Sequence, residues 1–257
     1  QEMAEVDFNP DDYGTLPVED GPFLCEKSDF SGLEAFYSVG DNNQVFLDKI
    51  AQLKQRFGSM RVVRGDGNCF YRAFMFGVME HLLTQPAEQA RGLLGRLRDY
   101  QRRLTDPAGG LGYDSDMMEG FFDETAARVE GVVERTATEE GLMAAFGDYH
   151  ASNSLVFTAR VMTSCHMQLH EEDFAPFILD SHASVKDFVL HEVEPLDKEV
   201  EHVQIMALSQ ALQVPIRIIY LDRSTGPLNH HDFGEVVDGG AVHMLYRPGH
   251  YDLLYPA

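Results

Sequence analysis

The sequence predicts an α+β domain in which many helices pack on a small, mostly antiparallel sheet gathered toward the C-terminus. Three observations carry that expectation. Apolar residues recur at helical spacing from about residue 43 to residue 212, as in Phe46, Ile50 and Leu53. Beyond Pro215 the pattern changes to short β-branched and aromatic runs at 216–221, 242–246 and 251–255. Between the β-branched pair Val62-Val63 and the apolar run Phe70 to Leu83 lies a polar turn with two glycines, Gly65 and Gly67. That order reads as strand, tight loop and helix, with Cys69 at the helix start.

In chain order, residues 1–41 hold Pro10, Pro17, Pro22, Gly14 and Gly21 among many acids, with little periodicity, and read as an extended or partly ordered arm. A single domain, 42–257, follows. Asn43 is placed to cap a helix with the stripe Val45, Phe46, Ile50, Leu53 and Phe57, which Gly58 would end. Strand and loop occupy 60–68, and the Cys69 helix runs to about Leu83. Leu93, Leu94, Leu97 and Leu104 mark a helix rich in arginine, broken by Asp106-Pro107-Ala108-Gly109-Gly110. Its arginines either form a solvated face or meet acids of the next helix, 115–135. Further helices are expected at 138–146, at 152–169, after a Ser184 cap to before Pro195, and at 200–212. Pro248-Gly249 supplies the turn between the last two strands.

With 257 residues and 44% of them hydrophobic, the chain is long enough to bury one substantial core. Its net charge of −22 argues against nucleic acid as a partner, because phosphate binding needs a basic surface, and suits a basic protein partner better. No apolar run approaches the roughly 20 residues of a membrane span, and the acidic start Gln1-Glu2-Met3 resembles neither a signal nor a transit peptide. Three scattered cysteines, Cys25, Cys69 and Cys165, do not make a disulfide framework and fit a reducing compartment such as the cytoplasm.

Cys69 is the residue placed for chemistry. A thiol at a helix start meets unpaired backbone N–H groups and the positive end of the helix dipole, which favour thiolate. The glycines before it let the backbone turn its amides inward, as stabilising an oxyanion requires. His250 leaves the Pro248-Gly249 turn at a strand end, and Asp252, two residues on, shares its face at about 6.5–7 Å. Spacing therefore allows Asp252 to accept the Nδ1 proton, leaving Nε2 for sulfur. On spacing alone, a strand-end histidine is more often an ordinary surface residue.

The run Gly65-Asp66-Gly67-Asn68-Cys69-Phe70-Tyr71-Arg72-Ala73-Phe74 resembles the nucleophile motif of the ovarian-tumour family of deubiquitinating cysteine proteases. Leu245-Tyr246-Arg247-Pro248-Gly249-His250-Tyr251-Asp252-Leu253-Leu254-Tyr255 resembles the histidine motif of its otubain branch. Glu192-Val193-Glu194-Pro195 and the stretch His202 to Leu212 are also otubain-like. The resemblance implies a papain-like fold, with Cys69 as nucleophile, His250 as general base and then acid, and Asp252 orienting the ring. It implies an oxyanion hole of backbone N–H groups at Asp66, Gly67 and Cys69. Asp66 has an alternative role, holding the loop through its carboxylate, and Asn68 reads as a helix cap. The implied reaction is hydrolysis of ubiquitin isopeptide bonds, preferentially in lysine-48-linked chains, through a thioester. The implied partners are ubiquitin, polyubiquitin and ubiquitin-conjugating enzymes. A non-catalytic role restraining those enzymes is the alternative.

Neither a cofactor nor a metal is expected. Cys165, His166, His170 and Glu171 lack a second ligand cluster, and Cys165 reads as a small buried hydrophobe. Gly65-x-Gly67 lacks the third glycine and the lysine of a phosphate loop. His230-His231 reads as solvated loop, and Tyr246, Tyr251 and Tyr255 as core or cleft wall.

Overall fold

The computed structural model describes residues 21–39, 43–236 and 240–257; about half of the expected arm, residues 1–20, lies outside the described residues. The helices are α1 (Ser31–Tyr37), α2 (Gln44–Leu53), α3 (Cys69–Thr84), α4 (Ala87–Thr105), α5 (Ser115–Val133), α6 (Glu139–Gly147), α7 (Tyr149–Leu169), α8 (Glu171–Ile178), α9 (Val185–Phe188) and α10 (His202–Leu212). A π turn, Val189–Val193, continues α9. The strands are β1 (Phe57–Arg61), β2 (Ile216–Tyr220), β3 (His230–Phe233), β4 (Val242–Arg247) and β5 (His250–Pro256), in the sheet order β1-β5-β4-β2-β3. The β2–β4 pair is parallel and the other pairs antiparallel, so the sheet is mostly antiparallel, as expected.

The helical core forms around α7, which is buried without a break from Thr158 to Met167 because α3, α4, α5, α6 and α10 pack on its different sides. α3 spans the gap between this layer and the sheet. Its close approach is made at Gly77, where a Cβ would lie 2.9 Å from Val242 Cγ1 and 3.0 Å from Leu253 Cδ2. A second apolar cluster joins α1 and α2 to the sheet through Phe30, Leu33, Tyr37, Phe46, Leu245 and Leu254. Arg98 of α4 bridges Asp123 and Glu130 of α5, the helix pairing that the arginine-rich face allowed.

Several expectations meet a different local structure. Phe57 and Gly58 do not end α2 but open β1, where Phe57 pairs with Pro256 and the register shifts before Ser59. A glycine at such an irregularity breaks strand and helix patterns alike. Val63 belongs to no strand; it forms an isolated bridge with Leu24. Residues 21–39, read as part of the arm, bring Phe23, Leu24, Phe30, Leu33 and Tyr37 into the interior. α8 escapes the periodicity because Pro176 lies inside it. β3 escapes because it is an edge strand in which only Phe233 is buried, so His230 and His231 stand in the sheet rather than a loop.

Candidate active site

The glycine loop runs from Val63 to Asn68 and delivers Cys69 at the first position of α3, 5% exposed. Gly67 has φ +72°, and a Cβ there would lie 2.4 Å from the carbonyl of Asp197, so this position admits glycine alone. Asp66 ties the loop: its Oδ1 accepts from the Asn68 N–H at 3.0 Å and from Arg72 Nη1 at 2.8 Å. That is the holding role its carboxylate was offered. Asn68 stands at the N-cap but does not cap through its side chain, contrary to expectation. Its Oδ1 instead accepts from Arg160 Nη2 at 2.8 Å and from the Asp197 N–H at 3.1 Å, while Nδ2 donates to Asp197 Oδ1 at 2.9 Å. The fully buried Arg160 guanidinium, which needs an acceptor for each of its N–H groups, takes that oxygen from the helix amides.

Arg160 also donates to the carbonyls of Gly67 (3.0 Å), Val193 (2.9 Å) and Lys198 (2.7 Å), clamping the loop to the segment after the π turn. The Gly67 carbonyl is thereby turned into the protein, and the Asp66 carbonyl accepts from Asn68 Nδ2 at 3.3 Å. In a trans peptide the N–H points opposite its carbonyl, so the Gly67 amide faces away from Asn68. Among the described residues the Asp66, Gly67 and Cys69 amides donate to no acceptor within the protein.

The β4–β5 hairpin brings the other groups. Pro248 and Gly249, the latter at φ +73°, make its two-residue turn and close it on the pair Arg247 and His250. β5 lies between β1 and β4, and Asp252 is wholly buried. Its Oδ1 accepts from the Val63 N–H at 3.0 Å and meets His250 Nε2 at 2.9 Å; its Oδ2 accepts from Arg247 Nε at 3.1 Å and Nη2 at 2.8 Å. The nitrogens are therefore exchanged relative to expectation: Nε2 meets the carboxylate. Nδ1 faces the glycine loop, 3.4 Å from where a Cβ on Gly65 would lie. Val63 and Arg247 anchor the carboxylate deep beside β4, so the outer nitrogen reaches it and the other ring edge is left toward the Cys69 side chain, which lies near enough to favour the charged ring.

The electrostatics follow from that geometry. Burial alone would lower the imidazole's pKa, but the Asp252 charge, its hydrogen bond and the nearby Cys69 sulfur outweigh burial and hold His250 well above the usual imidazole range. Burial would likewise raise Asp252; Arg247 and His250 outweigh it and hold the carboxyl well below its usual range. The arrangement can keep a protonated imidazole between a carboxylate and a thiolate. Beside it opens a cleft of about 600 Å³ lined by Gly67, Cys69, Glu199, Tyr220, Tyr246 and Tyr251. Two of the three C-terminal tyrosines thus form cleft wall, whereas the Tyr255 hydroxyl accepts from Arg61 Nε.

The remaining candidates have structural occupations. Burial pushes the Cys165 thiol up to about 12, as a small buried hydrophobe requires. Both His166 nitrogens are taken, by the Tyr100 hydroxyl at 2.7 Å and Gln210 Oε1 at 3.0 Å. Arg160 and Arg247 were not singled out in the sequence. The signal for Arg247 was available: a two-residue turn sets it directly across from His250.

The family model described as Peptidase C65 Otubain matches residues 17–256. Ubiquitin thioesterase OTUB1 of Homo sapiens is 36% identical over 235 residues, covering 91% of this chain and 83% of that protein. The OVARIAN TUMOR DOMAIN-containing deubiquitinating enzyme 1 of Arabidopsis thaliana is 34% identical over 253 residues, covering 91% and 81%. Among solved structures, a ceOTUB1 ubiquitin aldehyde UBC13~Ub complex superposes with a TM-score of 0.83 at 30% identity, covering 92% of this chain and 94% of that one. The h/ceOTUB1-ubiquitin aldehyde-UBCH5B~Ub structure does so with a TM-score of 0.83 at 32% identity, covering 91% and 90%.

Proposed function

This chain belongs to the otubain family of cysteine peptidases, and we propose that it hydrolyses the isopeptide bond between a ubiquitin C-terminus and a lysine, with Cys69 as nucleophile. The observation that carries the reading is the buried Asp252 carboxylate, 2.9 Å from His250, with the other edge of the ring toward Cys69. The Cys69 thiolate attacks the carbonyl carbon of the terminal residue of ubiquitin. The oxyanion that forms is met by the amides of Asp66, Gly67 and Cys69, fixed in place by Arg160 and Arg72. Protonated His250 gives its Nδ1 proton to the departing lysine amine, leaving a thioester on Cys69. His250 then takes a proton from water, the resulting hydroxide displaces the sulfur, and ubiquitin leaves with a free carboxylate. Asp252 holds the ring and stays ionised throughout.

The preferred substrate is a lysine-48-linked chain, its two ubiquitins lying on either side of the cleft. Gel assays of wild type and Cys69→Ser against di-ubiquitins of every linkage test this. Cleavage fastest for lysine-48 linkage and absent in the variant is expected. Folded wild type that cleaves none of them overturns the enzymatic reading, and faster cleavage of another linkage overturns the preference. The solved relatives bound to UBC13~Ub and UBCH5B~Ub favour a second role, restraint of charged ubiquitin-conjugating enzymes. Equal suppression of chain synthesis by wild type and Cys69→Ala supports it; loss of suppression in the variant contradicts it.

A further inference from the structure

Arg247 has no part in the chemistry just described, yet it is held against the Asp252 carboxylate. Arg247 is 5% exposed and lies across the hairpin from His250. It places two of its N–H groups on the same oxygen, Asp252 Oδ2. With Oδ2 engaged, the carboxylate cannot rotate, and Oδ1 is left to face the ring and the Val63 amide. The guanidinium in turn lies close enough to the Tyr37 hydroxyl to favour its ionised form against burial. Tyr37 closes α1 and is 8% exposed, its ring stacked on Phe46 of α2 with centroids 4.3 Å apart and planes 17° from parallel. A phenol so held is a fixed wall against which the long arginine side chain is braced, rather than a mobile contact.

We propose that Arg247, braced by Tyr37, is a positioning residue that locks the Asp252 carboxylate in the orientation the imidazole needs, so that the N-terminal helix α1 takes part in setting the catalytic geometry. This rests on the peptidase reading above. The titratable groups near enough to share charge with Asp252 and His250 are Arg247 from β4, Cys69 from α3, Tyr37 from α1 and Cys25 from the segment before it. Arg247 is the one fixed cation among them. It supplies two separable things: a charge that keeps the carboxylate ionised, and a fork that fixes its rotation. Lysine retains the first and loses the second; methionine loses both.

The test compares wild type with Arg247→Lys, Arg247→Met and Tyr37→Phe by steady-state cleavage of di-ubiquitin and by the rate of Cys69 alkylation with iodoacetamide across pH. Alkylation reads the sulfur–imidazole pair without ubiquitin, so it separates failure of this proposal from failure of the peptidase reading. Expected are a kcat about 10–100-fold lower for Arg247→Lys with KM within about twofold, and a smaller fall, about threefold, for Tyr37→Phe. In Arg247→Met the acid limb of alkylation moves to higher pH by about one unit, because the carboxylate has lost the cation that keeps it ionised; in Arg247→Lys it moves less. Unchanged kcat and an unchanged alkylation profile in all three variants overturn the proposal. Should the arginine variants not fold, Tyr37→Phe, which removes one oxygen, decides it: wild-type kcat and alkylation there also overturn the proposal. If wild type cleaves no di-ubiquitin but the alkylation profiles shift as described, the positioning role stands and the substrate assignment falls.

Discussion

Asp252 accepts four hydrogen bonds in a site closed to water, two from one arginine, one from a histidine and one from a backbone amide. A carboxylate so placed is tolerable only while every partner is present. Asp252→Asn is therefore expected to cost about 3–5 kcal/mol in urea unfolding, since it leaves Arg247 buried without its counter-charge, and to lower kcat by on the order of 10²–10⁴-fold. The pH dependence of stability follows in sign. His250 has a raised pKa in the folded chain, so its contribution is full below its ordinary value of 6.5 and fades as pH rises through the raised one. Asp252 is depressed, so its contribution is full above 3.8 and fades only as pH falls through the lowered value. The Tm gap between wild type and His250→Gln should accordingly be wider at about pH 6 than at about pH 10. At this scale the sequence was most informative about the residues proposed to react. Cys69, His250 and Asp252 stand in short runs whose order survives in one dimension. Arg160 does not, because its acceptors, Asn68, Val193 and Lys198, are scattered along the chain and meet only in the fold. The exchange of the two imidazole nitrogens was likewise illegible, since it depends on Val63 and Arg247 anchoring the carboxylate first.

The site is the meeting of two elements, the start of α3 and the start of β5, and what aligns them is the seat of α3 on the sheet. Gly77 sets that distance: with no side chain, it lets the helix settle against Val242 and Leu253. Gly77→Val should cost about 1–3 kcal/mol by overpacking and should also slow catalysis, because the relief is a shift of the helix that carries Cys69. Urea unfolding and kcat measured on the same variant check both. Long, strongly periodic helices such as α3, α4, α5 and α7 could be read from the chain, as could the hairpin at Pro248-Gly249. Short elements whose patterns compete with a special residue could not: Pro176 hides α8, and the polar edge strand β3 buries only Phe233. Sheet order was beyond reach as well, because β1 pairs with β5 from the far end of the chain.

Across the whole molecule, charge is distributed unevenly between surface and interior. Lys49, Arg61, Arg72, Arg160 and Arg247 are all buried, so the exterior is more acidic than the net charge of −22 suggests. These cations fasten separate segments. Arg61 holds the Cys25 carbonyl at 3.1 Å, and Arg72 lies over the Phe23 ring at 4.4 Å while holding Asp66. Residues 21–39 thus form part of the catalytic body. Removing the chain up to residue 42 strips Leu24, Phe30, Leu33 and Tyr37 from the interior, each worth roughly 1.5–3 kcal/mol of burial. A markedly lower Tm with loss of di-ubiquitin cleavage is expected; a truncated chain that melts like wild type would show the segment to be dispensable. The central claim, that one sulfur and one imidazole–carboxylate pair from opposite ends of the chain form a single ubiquitin-cleaving site, is tested most directly with ubiquitin carrying a C-terminal electrophile. Peptide mass mapping of the adduct should find one ubiquitin per chain, attached at Cys69, forming far more slowly in Asp252→Asn. Attachment at Cys25 or Cys165, or no adduct on folded wild-type protein, would contradict it.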